Sequence, residues 1–229
     1  MLFPEVAFEC VALIAIAMLC FIRPQCGDAL FKSLRPHLRK LHRRPYVAIL
    51  TIFLTSLLFT SGLSLALGPP TPYSNDELSY LLAAETFASG RLTNPSHPLC
   101  DHFECRNNYT IHRPSYQSKY PPFQGMVLAL GWLLGHPVIG VCLGMAAASA
   151  VFCWMLQGWV PARWALLGGM LTALHPWMAI WWGHSYWGGA GAMLGGALVF
   201  GAGVRIVRRP RVASAIAMGV GIAILANSR

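Results

Sequence analysis

Ser74-Asn75-Asp76-Glu77 and Lys119-Tyr120-Pro121-Pro122 lie near the two ends of one polar stretch, 68–122, which decides how this chain folds. The stretch contains five of the eight acidic residues of the chain, and a long apolar run flanks it on each side. Apolar runs favour membrane spans, since a spanning helix needs about 20 predominantly apolar residues. The sequence therefore predicts a loop held against a membrane face, with a carboxylate pair near one end and a lysine near the other.

The composition of the whole chain indicates an integral membrane protein. Of its 229 residues, 55% are hydrophobic and only 11% are charged, whereas soluble domains have about 25% charged residues. The predicted fold is all-α, a multi-pass transmembrane helical bundle with an external loop of short interfacial helices. The candidate spans follow the apolar runs and are 5–22, 46–67, 137–158, 164–182, 186–204 and 212–226.

The positions of the basic residues predict the orientation of these spans. Seven of the 17 lysines and arginines lie in 23–45 and four more in 205–211, and such clusters between apolar runs mark cytoplasmic loops. Loop 68–122 is then external, provided that the 13 residues of 123–135 stay at the interface without crossing. Two parts follow, an N-terminal anchor helix with a basic cytoplasmic linker (1–45) and a transmembrane domain (46–229).

The net charge of +9 does not indicate a nucleic-acid partner. The charge is confined to short linkers between apolar runs, and no aromatic or glycine-rich RNA-binding motif accompanies it. Membrane lipid is the partner that this distribution favours, and no nucleic acid is expected.

The start of the loop contains the pattern of a helix N-terminus. Ser74-x-x-Glu77 fits a capping box, in which the serine and glutamate side chains bond to backbone N–H groups at the start of the helix. A helix over Leu78–Ala88 is predicted to follow it. Glu77 is then explained as a cap, whereas Asp76 is not needed for the box and is the stronger candidate for chemistry.

Several motifs of the loop, taken in order, resemble a known superfamily. They are similar to the first external loop of the GT-C glycosyltransferases, in particular the lipid A aminoarabinose transferases and the protein O-mannosyltransferases, and they comprise Asp76-Glu77-Leu78-Ser79-Tyr80, Ala84-Glu85, Gly90, Pro95 and Lys119-Tyr120-Pro121-Pro122. Further segments resemble bacterial membrane proteins grouped with that superfamily, and these are Asp76–Pro95, His102-Phe103-Glu104, Tyr120–Gly125, Trp164–Gly169, Ser185–Ala190 and Ala226–Arg229.

The resemblance implies a transferase of the plasma (inner) membrane with its active-site loop on the external, periplasmic side. Such enzymes move a sugar from a polyprenyl-phosphate carrier to a glycan, lipid or protein acceptor, and no cofactor is expected. Domain 46–229 would be the N-terminal part of one. Carried over by position, Asp76 with its neighbour Glu77 would be catalytic and Lys119 would meet the carrier phosphate. The further substrate-binding candidates are Arg91, His102, Glu104, Arg113 and Tyr120.

Two clusters of residues allow more than one interpretation. Cys100 and Cys105 flank His102 in a segment that the better-known enzymes lack, where a local disulfide is favoured over a metal site because the spacing matches no standard zinc motif. The aromatic residues of 177–187 fit an interfacial belt, and stacking of some of these rings on a sugar is the alternative.

Two other classes of function remain open. A transporter or an assembly subunit would also be a multi-pass membrane protein, but transporters place ionisable residues near the membrane midplane. In this chain the acidic residues concentrate in one external loop, which favours an enzyme. An inactive, truncated glycosyltransferase is the third possibility, because six spans are fewer than such enzymes usually have.

Overall fold

The structure is a computed structural model of the 229-residue chain. It describes residues 43–96, 98–99 and 109–228, with residues 10, 11, 14, 15, 17, 18, 21, 22, 32, 36 and 41 before them. The chain divides into two compact units, Met1–Arg43 and Arg44–Arg229. In the first unit the expected span 5–22 falls largely outside the described residues, and those described between 10 and 22 are helical.

The second unit is built from helices and one short hairpin. Its elements are α1 (Pro45–Leu67), α2 (Asn75–Ala88), β1 (Thr110–Ile111), β2 (Gln117–Ser118), α3 (Pro122–Leu133), α4 (Pro137–Trp159), α5 (Ala162–Leu174), α6 (Pro176–Trp181), α7 (Gly189–Arg208) and α8 (Val212–Ala226). Strands β1 and β2 pair antiparallel, with Thr110 opposite Ser118. The all-α prediction is confirmed at this level, since the chain is mostly helical.

Three of the described helices are long and apolar enough to cross a membrane, namely α1, α4 and α7. The predicted spans 46–67 and 137–158 match α1 and α4, which begin at Pro45 and Pro137, because proline is well tolerated in the first turn of a helix. The predicted span 186–204 is displaced, since α7 begins at Gly189 and continues to Arg208. The predicted span 212–226 is helix α8, whose 15 residues are fewer than a span needs.

The expected single span over 164–182 is wrong, because the structure breaks it into α5 and α6. The break falls at His175, whose backbone is extended with ψ at 116°. Pro176 follows it, and a proline ring disfavours the helical conformation of the residue before it. Helix α5 therefore has 13 residues and is about 20 Å long, well short of the membrane core of about 30 Å.

Helices α1 and α4 form the centre of the bundle and run antiparallel. The Ser56 and Ser149 hydroxyls lie 3.2 Å apart midway along them, and Gln157 donates to the Pro45 carbonyl at one end. Helix α7 packs beside α4 in the same direction, because Ala190 near its start packs with Met145 and Ala148 and Arg205 near its end donates to the Trp154 carbonyl. Helix α4 thus begins roughly 10 Å before α7 does. Helix α8 returns antiparallel to α7.

Helix α3 packs against the part of α4 that projects beyond α7. The two backbones approach closely, since a Cβ added at Gly140 would overlap the Val127 carbonyl oxygen. The connecting turn contains Gly135 at φ +118°, a conformation that glycine adopts without strain. With 12 residues α3 is about 18 Å long, which is shorter than a span needs. That 123–135 stays at the interface without crossing remains a prediction.

These directions place the charged residues of the second unit at its two ends, and the acidic residues that the structure describes there all lie at one of them. The arginine end comprises Arg44, Arg163, Arg205, Arg208, Arg209 and Arg211, at the start of α1, the α4–α5 turn and the end of α7. The loop end carries α2, the hairpin, α3, the α6–α7 connection and the end of α8, and it contains the acidic residues that the structure describes, Asp76, Glu77 and Glu85. The side of the membrane that each end faces stays a prediction.

Candidate functional site

Helix α2 presents both acidic residues of the candidate pair at its first turn. It begins at Asn75 with Ser74 as the N-cap residue, the N-cap position that the Ser74-x-x-Glu77 pattern predicts. The predicted capping box does not form, because the Ser74 side chain makes no capping bond and its buried Oγ has no hydrogen-bond partner among the described residues. The Tyr73 N–H donates to Glu77 Oε2 at 3.4 Å. The local cap is therefore incomplete.

Glu77 instead connects α2 to a distant part of the chain. It is buried, with 3% of its surface exposed, and it accepts hydrogen bonds from the Tyr186 backbone and the Trp187 side chain as well as from Tyr73. Burial raises the pKa of the Glu77 carboxyl, the nearby Asp76 charge raises it further, and the three hydrogen bonds oppose the rise. The interpretation of Glu77 as only a local cap is wrong, since two of its donors come from the α6–α7 connection.

Asp76 is paired with the tyrosine of the second motif. Asp76 is also buried, with 8% of its surface exposed, and the Tyr120 hydroxyl donates to its Oδ1 at 2.6 Å. The Tyr120 ring packs against the Tyr80 ring with centroids 4.9 Å apart. The structure therefore brings the two ends of loop 68–122 together, as the carboxylate-and-lysine layout of the sequence requires.

Lys119 lies at the exposed edge of the same cluster. Its ammonium nitrogen is 5.6 Å from the centroids of both the Tyr109 and the Tyr120 rings, distances at which a cation is attracted to the face of an aromatic ring. Asp76 and Lys119 are thus linked through one side chain, Tyr120. An exposed ammonium beside a buried carboxylate gives the site a cationic entrance and an anionic interior.

The hairpin fixes the position of this lysine. Ser79 of α2 donates to the Tyr109 carbonyl at 2.5 Å, and its oxygen lies 2.8 Å from the Ser118 hydroxyl. The Lys119 N–H donates to the same Tyr109 carbonyl at 3.3 Å. Ser79 is buried, so these bonds anchor the hairpin on α2 and hold Lys119 next to Tyr120.

Segments far apart in the sequence meet behind the carboxylates. Gln124, in the first turn of α3, donates to the Tyr186 carbonyl at 2.9 Å, and the Phe123 N–H donates to the Asn227 carbonyl at 3.2 Å. The 76–95, 120–125 and 185–190 segments quoted above therefore come together at the loop end with 226–228, the described part of the last segment. Segment 164–169 does not, because α5 begins at the arginine end.

A small apolar recess of about 20 Å³ lies next to two residues of this site. Its lining includes Trp187, which donates to Glu77, and Gln124, which holds Tyr186. The rest of the wall is apolar and comes from α3, α4, α7 and the residue after α6, and it includes Phe123, Val127, Val141, Trp182 and Leu194. A volume of about 20 Å³ is close to that of a single water-sized group, so the walls around Trp187 are closely packed.

The remaining predicted residues are dispersed. Arg91 is exposed beyond the far end of α2, about 20 Å along the helix from Asp76. Arg113 is exposed in the hairpin turn, on the side where Asn94 pairs with Tyr116. His102 and Glu104 lie outside the described residues, as do Cys100 and Cys105 with the disulfide and metal alternatives. In the part of the chain that the structure describes, no group of three or more His, Cys, Asp or Glu residues could hold a metal ion.

The aromatic residues of 177–187 divide into two groups. Trp177 and Trp181 lie on α6 with centroids 5.3 Å apart, and Trp181 is exposed, as an interfacial belt requires. Tyr186 is buried and Trp187 reaches Glu77, so these two belong to the site. The sequence spacing did not reveal their contact with Glu77.

No protein-family model, curated protein or solved structure matches this chain.

Proposed function

We propose that this protein is a multi-pass membrane glycosyltransferase of the GT-C type. In this proposal it transfers a sugar from a polyprenyl-phosphate donor to an acceptor at the external face of the plasma membrane. The observation that carries the proposal is the Asp76–Tyr120–Lys119 arrangement at the loop end. It combines a buried carboxylate, held by a 2.6 Å hydrogen bond from the Tyr120 hydroxyl, with an exposed ammonium 5.6 Å from the centroid of the same ring.

The proposed chemistry assigns one role to each charged group. Asp76 accepts the proton of an acceptor hydroxyl as the oxygen of that hydroxyl attacks the anomeric carbon of the sugar. The bond between that carbon and the carrier phosphate breaks, and Lys119 stabilises the negative charge that develops on the phosphate. Glu77 positions the first turn of α2 through its bonds to Tyr186 and Trp187.

The membrane setting supports this assignment of the donor. A polyprenyl carrier keeps its chain in the hydrocarbon and its phosphate at headgroup depth. Lys119 is exposed at one end of three helices of membrane-spanning length, where an ammonium can meet such a phosphate. Each of those helices lacks acidic residues, whereas a transporter pathway places ionisable groups near the midplane.

A transfer assay on Asp76 variants tests the proposal. The protein is reconstituted in lipid nanodiscs with a polyprenyl-phosphate-linked sugar, and release of the carrier phosphate is measured. Asp76→Asn should lower turnover by about 10²–10⁴-fold, the usual contribution of a general base. Glu85→Gln is the matched control, because Glu85 is an exposed carboxylate on the same helix and should leave turnover unchanged. Equal activity of the wild type and Asp76→Asn would contradict the proposal.

A further inference from the structure

The arginine end of the second unit carries a cluster of arginine side chains. Six arginines surround it, with neither a lysine nor an acidic residue at this end among the described residues of Arg44–Arg229. Five of the six are exposed, namely Arg44, Arg163, Arg208, Arg209 and Arg211. Within the described part of the chain these five guanidinium groups form no hydrogen bond or ion pair. Their positive charge is therefore not compensated there.

The sixth arginine differs, because it is bound to protein. Arg205 donates from Nη1 to the Gly201 carbonyl and from Nη2 to the Trp154 carbonyl, each at 2.7 Å. Its guanidinium lies over the Trp154 ring at 3.9 Å, and a Cβ at Gly158 would collide with it. Arg205 therefore fastens the end of α7 to α4. This contact fixes the last turn of α7, from which Arg208 and its neighbours project.

Like charges one turn apart on a helix repel each other. Arg208 follows Arg205 at that spacing, and Arg209 and Arg211 extend the run across the turn into α8. Fastening Arg205 to α4 prevents these groups from moving apart freely. A bound anion would relieve the repulsion, so the arrangement favours an anionic ligand.

Exposed aromatic residues show the depth at which these arginines lie. Tyr46, Trp159 and Trp164 are 83%, 54% and 53% exposed at the same end of the unit, and the Arg163 guanidinium lies 5.6 Å from the Trp164 ring. Exposed tryptophan and tyrosine at the end of apolar helices mark the headgroup region of a bilayer. The arginines are therefore level with lipid phosphates.

We propose that the arginine end is a binding site for anionic phospholipid headgroups, with Arg208, Arg209 and Arg211 as its main donors. A guanidinium presents its N–H groups as a planar fork that matches the oxygens of a phosphate. This site is at the opposite end of the bundle from Asp76 and does not depend on the proposed transferase activity. Its function is to hold negatively charged lipid against the ends of α7, α4 and α5.

Lipid binding by charge variants tests this site directly. The purified protein in neutral detergent is titrated with phosphatidylglycerol or with phosphatidylcholine, and bound lipid is counted by native mass spectrometry. The wild type should prefer phosphatidylglycerol. Each arginine removed should weaken that binding by about fivefold, so Arg208→Gln/Arg209→Gln/Arg211→Gln should weaken it by roughly 10²-fold. The corresponding triple lysine variant should retain part of the affinity.

A matched control separates this site from a general effect of net charge. The variant Arg91→Gln/Arg113→Gln removes two charges from the loop end and should keep most of the phosphatidylglycerol binding, whereas Arg209→Gln/Arg211→Gln should weaken it by about 25-fold. If these two double variants lose binding equally, or if the wild type binds both lipids equally, the proposal is wrong. Should the arginine triple variant fail to fold, the single variants Arg209→Gln and Arg211→Gln provide the same comparison, and unchanged binding in both would overturn it.

Discussion

The Tyr120 hydroxyl donates a hydrogen bond of 2.6 Å to Oδ1 of Asp76, from 44 residues further along the chain. This contact joins the first turn of α2 to the residue before Pro121-Pro122. The face of the same phenol ring lies 5.6 Å from the Lys119 ammonium. One tyrosine therefore sets the separation between the carboxylate and the cation of the candidate site.

Tyr120→Phe should remove one hydrogen bond of the site while its ring stays in place. The ring keeps its packing on Tyr80, but Asp76 loses a donor, and a hydrogen bond to a charged group is worth about 1.5–3 kcal/mol. We expect a lower free energy of unfolding by that amount and a lower rate of sugar transfer. Tyr116→Phe, in the hairpin, is the control and should keep the wild-type transfer rate. Equal rates for Tyr120→Phe and wild type would show that Asp76 does not need this donor.

Asp76→Asn and Glu77→Gln should have different effects. Asp76→Asn should reduce turnover while the melting temperature changes little. Glu77→Gln replaces a carboxylate that accepts three hydrogen bonds by an amide with one acceptor oxygen, which leaves a buried donor unsatisfied at a cost of about 1–3 kcal/mol. Its main effect should therefore be a lower melting temperature, with a smaller effect on turnover. Thermal unfolding and transfer rates of the same preparations decide this, and a larger turnover loss in Glu77→Gln would reverse the assignment.

The stability of the protein should depend on the ionisation of Glu77. Burial raises the folded-state pKa above the ordinary value of 4.5, so the folded state binds a proton more tightly than the unfolded state does. The resulting stabilisation is fully present below 4.5 and is lost as pH rises through the raised pKa. Melting temperatures measured across this window should fall with rising pH, and Glu77→Gln should remove that component. An identical pH dependence in the variant would exclude Glu77 as its source.

Lys119→Ala should weaken donor binding more than it slows the transfer of bound sugar. A hydrogen bond to a charged group is worth about 1.5–3 kcal/mol, which corresponds to a rise of about 10–100-fold in the dissociation constant of the polyprenyl-phosphate sugar. Arg91→Ala is the control, because Arg91 is exposed beyond the opposite end of α2. Unchanged affinity in Lys119→Ala would indicate that this lysine only anchors the loop to lipid headgroups.

The two ends of the second unit should label from opposite sides of the membrane. Ser89→Cys lies at the loop end and Val212→Cys at the arginine end, and both positions are exposed. In intact cells a membrane-impermeant maleimide should modify the first and reach the second only after permeabilisation. Modification of Ser89→Cys only after permeabilisation would place residue 90 in the cytoplasm and overturn the orientation derived from the basic residues.

The sequence predicts the long helices because each of them is specified locally. Helices α1 and α4 are apolar runs that begin at a proline, and the 12-residue length of α3 follows from the short run between Pro122 and Gly135. The break at His175-Pro176 is also specified locally, by the proline. The single span over 164–182 was predicted from hydropathy alone, which does not reveal such a break.

The candidate site was predictable only in part. Asp76 and Lys119 were found because each belongs to a short motif at one end of the polar loop. The role of Glu77 was not predictable from the sequence. Tyr186 and Trp187, which reach it, are about 110 residues away in the chain, and only the packing of α7 on α4 brings them close. The unsatisfied Ser74 hydroxyl likewise shows that a capping pattern does not guarantee the capping bond.

Helix α7 begins roughly 10 Å deeper than α4, so the surface at the loop end is stepped. Helix α3 and the first turns of α4 form the upper level, and Trp182 and Trp187 lie at the foot of the step, beside Glu77. Asp76 and Glu77 are nevertheless only 8% and 3% exposed. A molecule that reaches the step therefore meets their carboxyl groups only after the side chains that cover them move.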